Sequence, residues 1–251
     1  MAVNNELRNN LRSFRDTFKD YTDCYTVIGG TACFILMEDA GFNFRATRDI
    51  DMILVLEDKR KSFGKVFWDY IVSGGYQCEQ REGKTHYYRF IYPKPGFPEQ
   101  IELFSRRDDF KVDQRIIPVS IDEDVSSLSA IALDDDFYHF MMGGRKTVDG
   151  ISILDAEYLI PFKMYAWLNN KRDRELGLRE VNTKDIEKHK KDVFRLLTLV
   201  NPAARIKTSG SVSNAVRNFL TEIANHPFEP KDIGINMAKT DACEIMKRIY
   251  L

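Results

Sequence analysis

The stretch from Tyr25 to Leu56 constrains the fold of this chain more than any other part of its sequence. It reads as a short apolar strand ending in Gly29-Gly30, a helix, an arginine-bearing loop, and a second strand that carries Asp49 and Asp51. Side chains alternate between the faces of a strand, so the two aspartates should share one face. Their neighbours are apolar, which predicts an interior strand, where an unpaired carboxylate is costly. The pair therefore predicts a bound cation, and carboxylate oxygens suit Mg²⁺ or Mn²⁺.

The Gly29-Gly30 turn lies where the first strand passes into a helix that we expect to start at Thr31. Glycine permits unusual dihedral angles and the close approach of another group. The Thr31 hydroxyl and the backbone N–H groups of the next turn should face outward, and a helix start of this kind is a natural cradle for phosphate. The alternative is that the two glycines only permit tight packing. The sequence leaves both interpretations open.

Two arginines in the following loop, Arg45 and Arg48, lie next to the aspartates in sequence. An arginine beside metal-binding carboxylates can clamp a phosphate or can simply neutralise the acids. Both roles stay open for each residue. Arg48 is the better candidate for a functional role because it adjoins Asp49.

A third candidate acid, Glu102, lies in the middle of a later apolar strand over residues 100–105. Ile101 and Leu103 should occupy one face of this strand and Glu102 the other. Taken alone, such a glutamate is more often a solvent-facing residue of an edge strand. Taken with Asp49 and Asp51, it becomes a third metal ligand.

The acidic run at residues 134–136 has a simpler explanation than metal binding. These three aspartates begin a short predicted helix. Acidic residues at the start of a helix are explained by capping and by the helix dipole. We therefore interpret the run as a helix cap.

Composition sets the broad class of this 251-residue chain. Its apolar content of 43% and charged content of 30% are ordinary for a globular protein, and a net charge of −1 gives no global basic field to attract nucleic acid. The four cysteines have no paired spacing, which argues against zinc and disulfides. The sequence contains no signal-peptide core and no run long enough to span a membrane, so we expect a cytoplasmic protein.

The order of the predicted elements gives an α+β fold. Strands and helices up to residue 154 predict a small mixed sheet with flanking helices, and the chain from Asp155 is mostly helical. We expect a domain boundary there, giving domains of 1–154 and 155–251. Within the second domain, the polar stretch 171–185 predicts a solvated or mobile loop.

The motifs VIGGTA, RDIDMIL and QIELFS, in this order, resemble those of the nucleotidyltransferase superfamily with the polymerase-β-like fold. The chain most resembles the AbiEii-type abortive-infection toxin group, in which GGTA precedes a DID strand. That group also carries a lysine in a following helix and a late helix with lysine and aspartate. Lys163 (PFKMYAW) and Lys188 with Asp192 (KHKKDVFRLL) could fill those places. The third acid departs from the pattern, since aspartate is frequent where this chain has Glu102.

The resemblance implies a metal-dependent nucleotidyltransferase, which moves a nucleoside monophosphate from an NTP to a hydroxyl of RNA, protein or a small molecule. The implied ligands of Mg²⁺ or Mn²⁺ are Asp49, Asp51 and Glu102, and the catalytic set adds Lys163 and Asp192. The implied nucleotide-binding residues are Gly29, Gly30, Thr31, Arg48 and Lys163. Asp192 would position Lys163 or the nucleotide. The alternatives for this pair are a snorkelling lysine and a solvated helix acid.

Other functions remain open at this point. The chain could be the toxin of a toxin–antitoxin pair with an antitoxin protein as partner, or a non-catalytic module that binds a nucleotide or a partner. A metal-dependent nuclease using the same acids is a weaker third hypothesis, because no dedicated histidine base is evident. A basic groove could hold an RNA end, although such a run is usually a solvated face; its residues would be Lys171, Arg172, Arg174, Lys188, Lys190 and Lys191.

Overall fold

The structure is a computed structural model that describes residues 2–45, 47–55, 60–81, 84–106, 116–119, 128–178 and 180–251. Leu56, the last residue of the stretch that opens the sequence analysis, lies outside these ranges. The chain divides into two compact units, residues 1–138 with 145–154, and residues 139–144 with 155–251. The boundary at residue 154 stays a prediction.

The described part of the chain contains eight α-helices and nine strands. In the first unit the strands are β1 (Tyr25–Ile28), β2 (Asp49–Leu54), β3 (Gln77–Arg81), β4 (Lys84–Ile91), β5 (Gln100–Arg106), β6 (Ile116–Val119), β7 (Leu128–Leu133), β8 (Arg145–Val148) and β9 (Ile151–Leu154). Its helices are α1 (Ala2–Phe18), α2 (Gly29–Asp39) and α3 (Arg60–Gly74). The remaining helices are α4 (Asp135–Met142), α5 (Ala156–Glu175), α6 (Thr183–Leu197), α7 (Gly210–Ala224) and α8 (Lys239–Tyr250).

The strands form one mixed sheet in the order β3-β4-β5-β2-β1-β9-β8, with β7 beside β5 and β6 beside β7. β2 runs antiparallel to β1 and parallel to β5, so it is an interior strand, as predicted. The mixed sheet with flanking helices, followed by helices α5 to α8, confirms the predicted α+β fold.

Helix α1 covers the sheet with a stripe of apolar side chains. Leu11, Phe14 and Phe18 follow helical spacing, and all three are buried. The ring of Phe14 lies 5.5 Å from that of Tyr25 on β1, and the ring of Phe18 lies 5.8 Å from that of Phe63 on α3. Truncating one of these rings to alanine should cost about 3–5 kcal/mol.

Helix α2 is buried along most of its length and ends in a defined hydrogen-bonding motif. Residues 31–37 are buried, which anchors the helix in the first unit. At its C-terminus, Gly41 has a φ of +79° and its N–H donates to the carbonyl oxygen of Glu38 at 3.0 Å, while Phe42 N–H donates to that of Met37 at 2.8 Å. This double hydrogen bond is the Schellman motif, which stops a helix. Gly41 therefore ends helix α2.

The acidic run at residues 134–136 caps helix α4. One oxygen of Asp134 accepts hydrogen bonds from the backbone N–H groups of Asp136 at 3.0 Å and Phe137 at 3.4 Å. Asp135 is bound by Arg106, whose Nε lies 3.1 Å from its Oδ1. The predicted cap is therefore confirmed.

The second unit is a helical unit with an aromatic core. The ring of Trp167 on α5 lies 5.2 Å from that of Phe219 on α7, and Phe194 on α6 lies 5.0 Å from Phe228. The predicted loop over 171–185 is wrong at both ends, because α5 continues to Glu175 and α6 begins at Thr183. No helix in the described ranges is long and apolar enough to cross a membrane.

Candidate active site

Three neighbouring strands place an arginine and two acids in a row. Asp51 on β2 pairs with Glu102 on β5 in parallel register, and Glu102 pairs with Arg89 on β4 in antiparallel register. Asp49, two residues before Asp51, pairs with Gln100. Because β-strand residues two apart share a face, the three acids stand on the same face of the sheet.

Glu102 is buried and bound to an arginine. Its exposed fraction is 9%, and its Oε1 accepts hydrogen bonds from Arg89 Nε at 3.0 Å and Arg89 Nη2 at 2.5 Å. β5 has β4 and β2 on its two sides, so the interpretation of Glu102 as a solvent-facing residue of an edge strand is wrong. Sequence reasoning missed Arg89, because its partner depends on the register between two strands.

The carboxylate oxygens of the three acids suit a hard cation in chemistry. Among the side chains that the structure describes, however, no three of His, Cys, Asp or Glu come together as a group that could hold a metal. The pairing of Glu102 with Arg89 gives a physical reason, since the arginine holds that carboxylate. The metal-binding roles of Asp49, Asp51 and Glu102 therefore stay a prediction.

The Gly29-Gly30 turn packs directly against one of the acids. Gly29 has a φ of +70°, and a Cβ added to it would lie 2.1 Å from Oδ2 of Asp51. A Cβ on Gly30 would lie 2.6 Å from Oγ1 of Thr47 and 3.7 Å from Nη2 of Arg45. Tight packing therefore does require these glycines, and the group that Gly29 accommodates is the candidate catalytic carboxylate itself.

Thr31 does not face outward, so that expectation is wrong. Helix α2 begins at Gly29, two residues earlier than predicted, and Thr31 is 1% exposed. Its hydroxyl donates to the backbone carbonyl oxygen of Asp49 at 2.5 Å. This bond ties the glycine turn to the start of β2, so the hydroxyl positions the acidic strand.

The two arginines of the loop before β2 differ in their surroundings. Arg48 is half exposed and its Nη1 donates to Oε1 of Glu99 at 2.5 Å. Arg45 lies with its guanidinium 5.2 Å from the centre of the Phe44 ring, and its Nη2 lies beside Gly30. Arg45 is therefore better placed than Arg48 to contact a group bound at the glycine turn.

The structure brings Lys163 and Asp192 together inside the second unit. Lys163 Nζ donates to Oδ2 of Asp192 at 3.1 Å, and the side chains are 3% and 0% exposed. Arg195 Nη1 lies 3.8 Å from the other oxygen of Asp192. A snorkelling lysine and a solvated acid are both excluded by this burial. Lys188 instead pairs with Asp185 at 2.8 Å on the same helix.

The predicted basic groove is not a uniform solvated face. Lys190 is 1% exposed; its Nζ lies 2.8 Å from Oε1 of Glu187 and 4.8 Å from the centre of the Phe228 ring. Lys171 forms an ion pair with Glu222. Burial of Lys190 contradicts its assignment to a surface that holds RNA.

A cleft of about 610 Å³ opens beside Asp49 in the first unit. The segment that joins β4 to β5 forms much of its wall, and Tyr92 in this segment is 72% exposed with a φ of +56°. The other lining residues are Asn10, Asp49, Arg89, Ile91, Pro93, Lys94, Pro95, Gly96, Phe97, Glu99 and Gln100. The sequence analysis did not identify this cleft. An aromatic residue between a strand and two prolines was the available signal.

Comparison with solved structures gives a distant likeness. No protein-family model and no curated protein matches the sequence. Among solved structures, the chain is similar to the solution structure of the antibiotic-resistance factor ANT(2'')-Ia, with 13% sequence identity and a TM-score of 0.41. The match covers 85% of this chain and 91% of that one. At this distance the likeness carries no argument about activity.

Proposed function

We propose that this chain is a metal-dependent nucleotidyltransferase, which transfers a nucleoside monophosphate from an NTP to an acceptor hydroxyl. One observation carries the proposal: Asp51 lies opposite Glu102 in the sheet register, and its Oδ2 lies against Gly29. In this arrangement, carboxylates that could bind a cation lie beside a glycine turn, whose backbone another group can approach closely. Asp49, on the same face of β2, adds a third acid.

The glycine turn would bind the triphosphate. Gly29 and Gly30 open helix α2, and the first N–H groups of a helix have no acceptor within it. Such a helix start attracts anions. Arg45 adds a positive charge beside Gly30, so Arg45 rather than Arg48 would bind the phosphate. The Thr31 hydroxyl would hold β2 in place.

Asp49, Asp51 and Glu102 would hold Mg²⁺ or Mn²⁺, and such a cation would lower the pKa of the acceptor hydroxyl and offset charge on the phosphate. To bind the cation, Glu102 would have to share its Oε1 with Arg89 or break its hydrogen bonds to that arginine. We further propose that Lys163 binds phosphate and that Asp192 positions it. The family resemblance supports the first role, and the buried ion pair between the two side chains supports the second.

The resemblance to the AbiEii-type group supports a finer proposal, that the chain is the toxin of a toxin–antitoxin pair. Its partner would be an antitoxin protein, and its acceptor RNA, another protein or a small molecule. Induced expression should slow cell growth, and Asp51→Asn should remove this effect. Equal growth inhibition by the wild type and the variant would contradict a toxic transfer reaction.

The transfer reaction is tested with labelled ATP, GTP, CTP and UTP, incubated with total RNA or total protein. We expect label to enter one of these fractions with release of pyrophosphate. Changing Asp49 and Asp51 together to Asn should slow this by at least about 100-fold, because charge stabilisation in the transition state is lost. Asp149→Asn is the matched control, since Asp149 is an exposed acid of the same unit. Transfer that survives in the double variant refutes the assignment.

A second candidate is a non-catalytic module that binds a nucleotide or a partner on the same fold. The ion pair between Glu102 and Arg89 favours it, because an arginine satisfies a carboxylate without a cation. Calorimetry with the four NTPs, with and without Mg²⁺, separates the two candidates. Binding that does not depend on Mg²⁺, without pyrophosphate release, would favour the module.

A further inference from the structure

We infer that the cleft beside Asp49 binds a nucleobase, and that Tyr92 is the ring on which the base stacks. The inference rests on the proposed function, because the cleft is lined in part by Asp49, one of the proposed metal ligands. Its volume of about 610 Å³ lies within the range of small-molecule sites, and a nucleoside is small enough to enter.

Tyr92 has the exposure and the backbone geometry of a functional residue. It follows directly on β4 and precedes Pro93, and the residue is 72% exposed. A φ of +56° is an outlier for a bulky residue, and proline disfavours helical conformations in the residue before it. Such strain persists only where the surroundings impose it, and it concentrates at ligand sites. An exposed ring held at this cost contributes little to the core, which points to a ligand.

The charges around the cleft argue against a dedicated phosphate site. Asp49 and Glu99 carry negative charges, while Arg89 and Lys94 carry positive ones, so the formal charges of the lining cancel. Arg89 is bound to Glu102, and Glu99 is bound to an arginine outside the cleft lining. An uncharged ligand therefore suits the lining better than an anion.

The polar groups that remain in the lining are suited to the edge of a base. Asn10 and Gln100 both line the cleft, and Asn10 is 7% exposed. A carboxamide offers one acceptor and two donor hydrogens, as the edges of nucleobases require. Phe97 adds apolar surface to the same lining. A planar, uncharged ring with donors and acceptors on its edge matches this combination.

The base has two possible sources, which share this chemistry. It could belong to the NTP, or it could belong to a nucleoside unit of the acceptor. In either case Tyr92 supplies stacking, which is tolerant of the identity of the base.

The test is a titration of the protein with adenosine, guanosine, cytidine and uridine, without phosphate or metal, followed by NMR of the nucleoside. We expect saturable binding of at least one nucleoside. Tyr92→Gly should weaken it by about 5- to 100-fold, whereas Tyr92→Phe should stay within about threefold because it keeps the ring. Tyr165→Ala, which removes an exposed tyrosine from the second unit, is the control and should bind as the wild type does.

A second readout separates a ligand-binding role from a structural one. Glycine relieves the strain at a φ of +56°, so Tyr92→Gly should melt at the same temperature as the wild type or higher. A lower melting temperature would mean that the ring supports the fold, and would overturn the inference. So would nucleoside binding that Tyr92→Gly leaves unchanged, or no saturable binding by the wild type.

Competition with an NTP identifies the source of the base. Displacement of the nucleoside by the matching NTP would assign the cleft to the base of the NTP. Simultaneous binding would assign it to the acceptor. Because the nucleoside titration contains neither phosphate nor metal, its outcome does not depend on whether the protein transfers nucleotides.

Discussion

The carboxylate of Asp51 fills the space that a side chain at Gly29 would need: a Cβ on Gly29 would lie 2.1 Å from Oδ2 of Asp51 and 3.0 Å from its Cγ. The φ of +70° at Gly29 independently favours glycine. The glycine turn and the acidic strand therefore depend on each other, although 21 residues separate them in sequence.

Gly29→Ala should lower the free energy of unfolding by about 2–4 kcal/mol, because it adds a clash to backbone strain. Urea denaturation measures this. Gly41→Ala is the matched control: its φ is +79° but nothing lies within 4 Å of its added Cβ, so only a strain cost of about 1 kcal/mol is expected. Equal losses in the two variants would contradict the packing of Gly29 on Asp51.

The same relationship predicts non-additivity. Asp51→Ala removes the oxygen that an alanine at position 29 would strike, so the double variant should be more stable than the two single losses predict. We expect a coupling of about 0.5–3 kcal/mol. Asp51→Ala combined with Gly41→Ala should instead be additive. Full additivity at position 29 would mean that strain alone explains the glycine.

Arg89 should compete with a cation for Glu102. Arg89→Met removes a positive charge bound to Oε1 of Glu102, so the affinity of the protein for Mn²⁺ should rise. Titration followed by electron paramagnetic resonance measures free Mn²⁺. Arg15→Met, which removes a half-buried arginine paired with Asp149, should leave the affinity unchanged. Weaker Mn²⁺ binding in Arg89→Met would show that the arginine helps to form the site.

Removing one member of the buried ion pair between Lys163 and Asp192 should lower the free energy of unfolding, whereas replacing both with apolar residues should not. Lys163→Met or Asp192→Leu alone leaves a buried charge without its partner and should cost about 3–5 kcal/mol. The double variant should recover most of this stability. If Lys163 binds phosphate, the stable double variant should still lack transfer activity. Full activity in that variant would leave the pair with a structural role only.

Several features were within reach of the sequence because their signals are local. Alternation along β2 placed Asp49 and Asp51 on one face, while the register between β2 and β5, which brings Glu102 to the same face, is a tertiary feature. The pairing of Lys163 with the distant Asp192 came from the family resemblance, since neither position carries a local signal of contact.

Other features depend on tertiary structure and could not be predicted. The partner of Glu102 is fixed by the register between β4 and β5, which no short pattern encodes. Thr31 turned inward because α2 begins at Gly29, and helix boundaries are weakly specified by sequence. The charged end of α5 looked like a loop, but a polar segment can continue a helix that is already anchored by its buried part.

A histidine gives the second unit a predictable dependence on pH. Burial, followed by the positive charge of Lys190, lowers the pKa of His226 from its ordinary 6.5, with Glu187 acting in the opposite direction. The folded state then binds fewer protons than the unfolded state, so stability should fall as the pH drops below about 6.5. His226→Gln should flatten this dependence in urea denaturation. If the free energy of unfolding of His226→Gln depends on pH as steeply as that of the wild type, His226 is not the cause of this dependence.

The most direct test of the central claim is calorimetric titration of the wild type and of Asp51→Asn with NTPs, in the presence and absence of Mg²⁺. The account predicts binding of at least one NTP that requires Mg²⁺ in the wild type and is at least about tenfold weaker in Asp51→Asn, since a carboxylate ligand is lost. Equal, Mg²⁺-independent affinities in the two proteins would contradict the assignment of the acids beside the glycine turn.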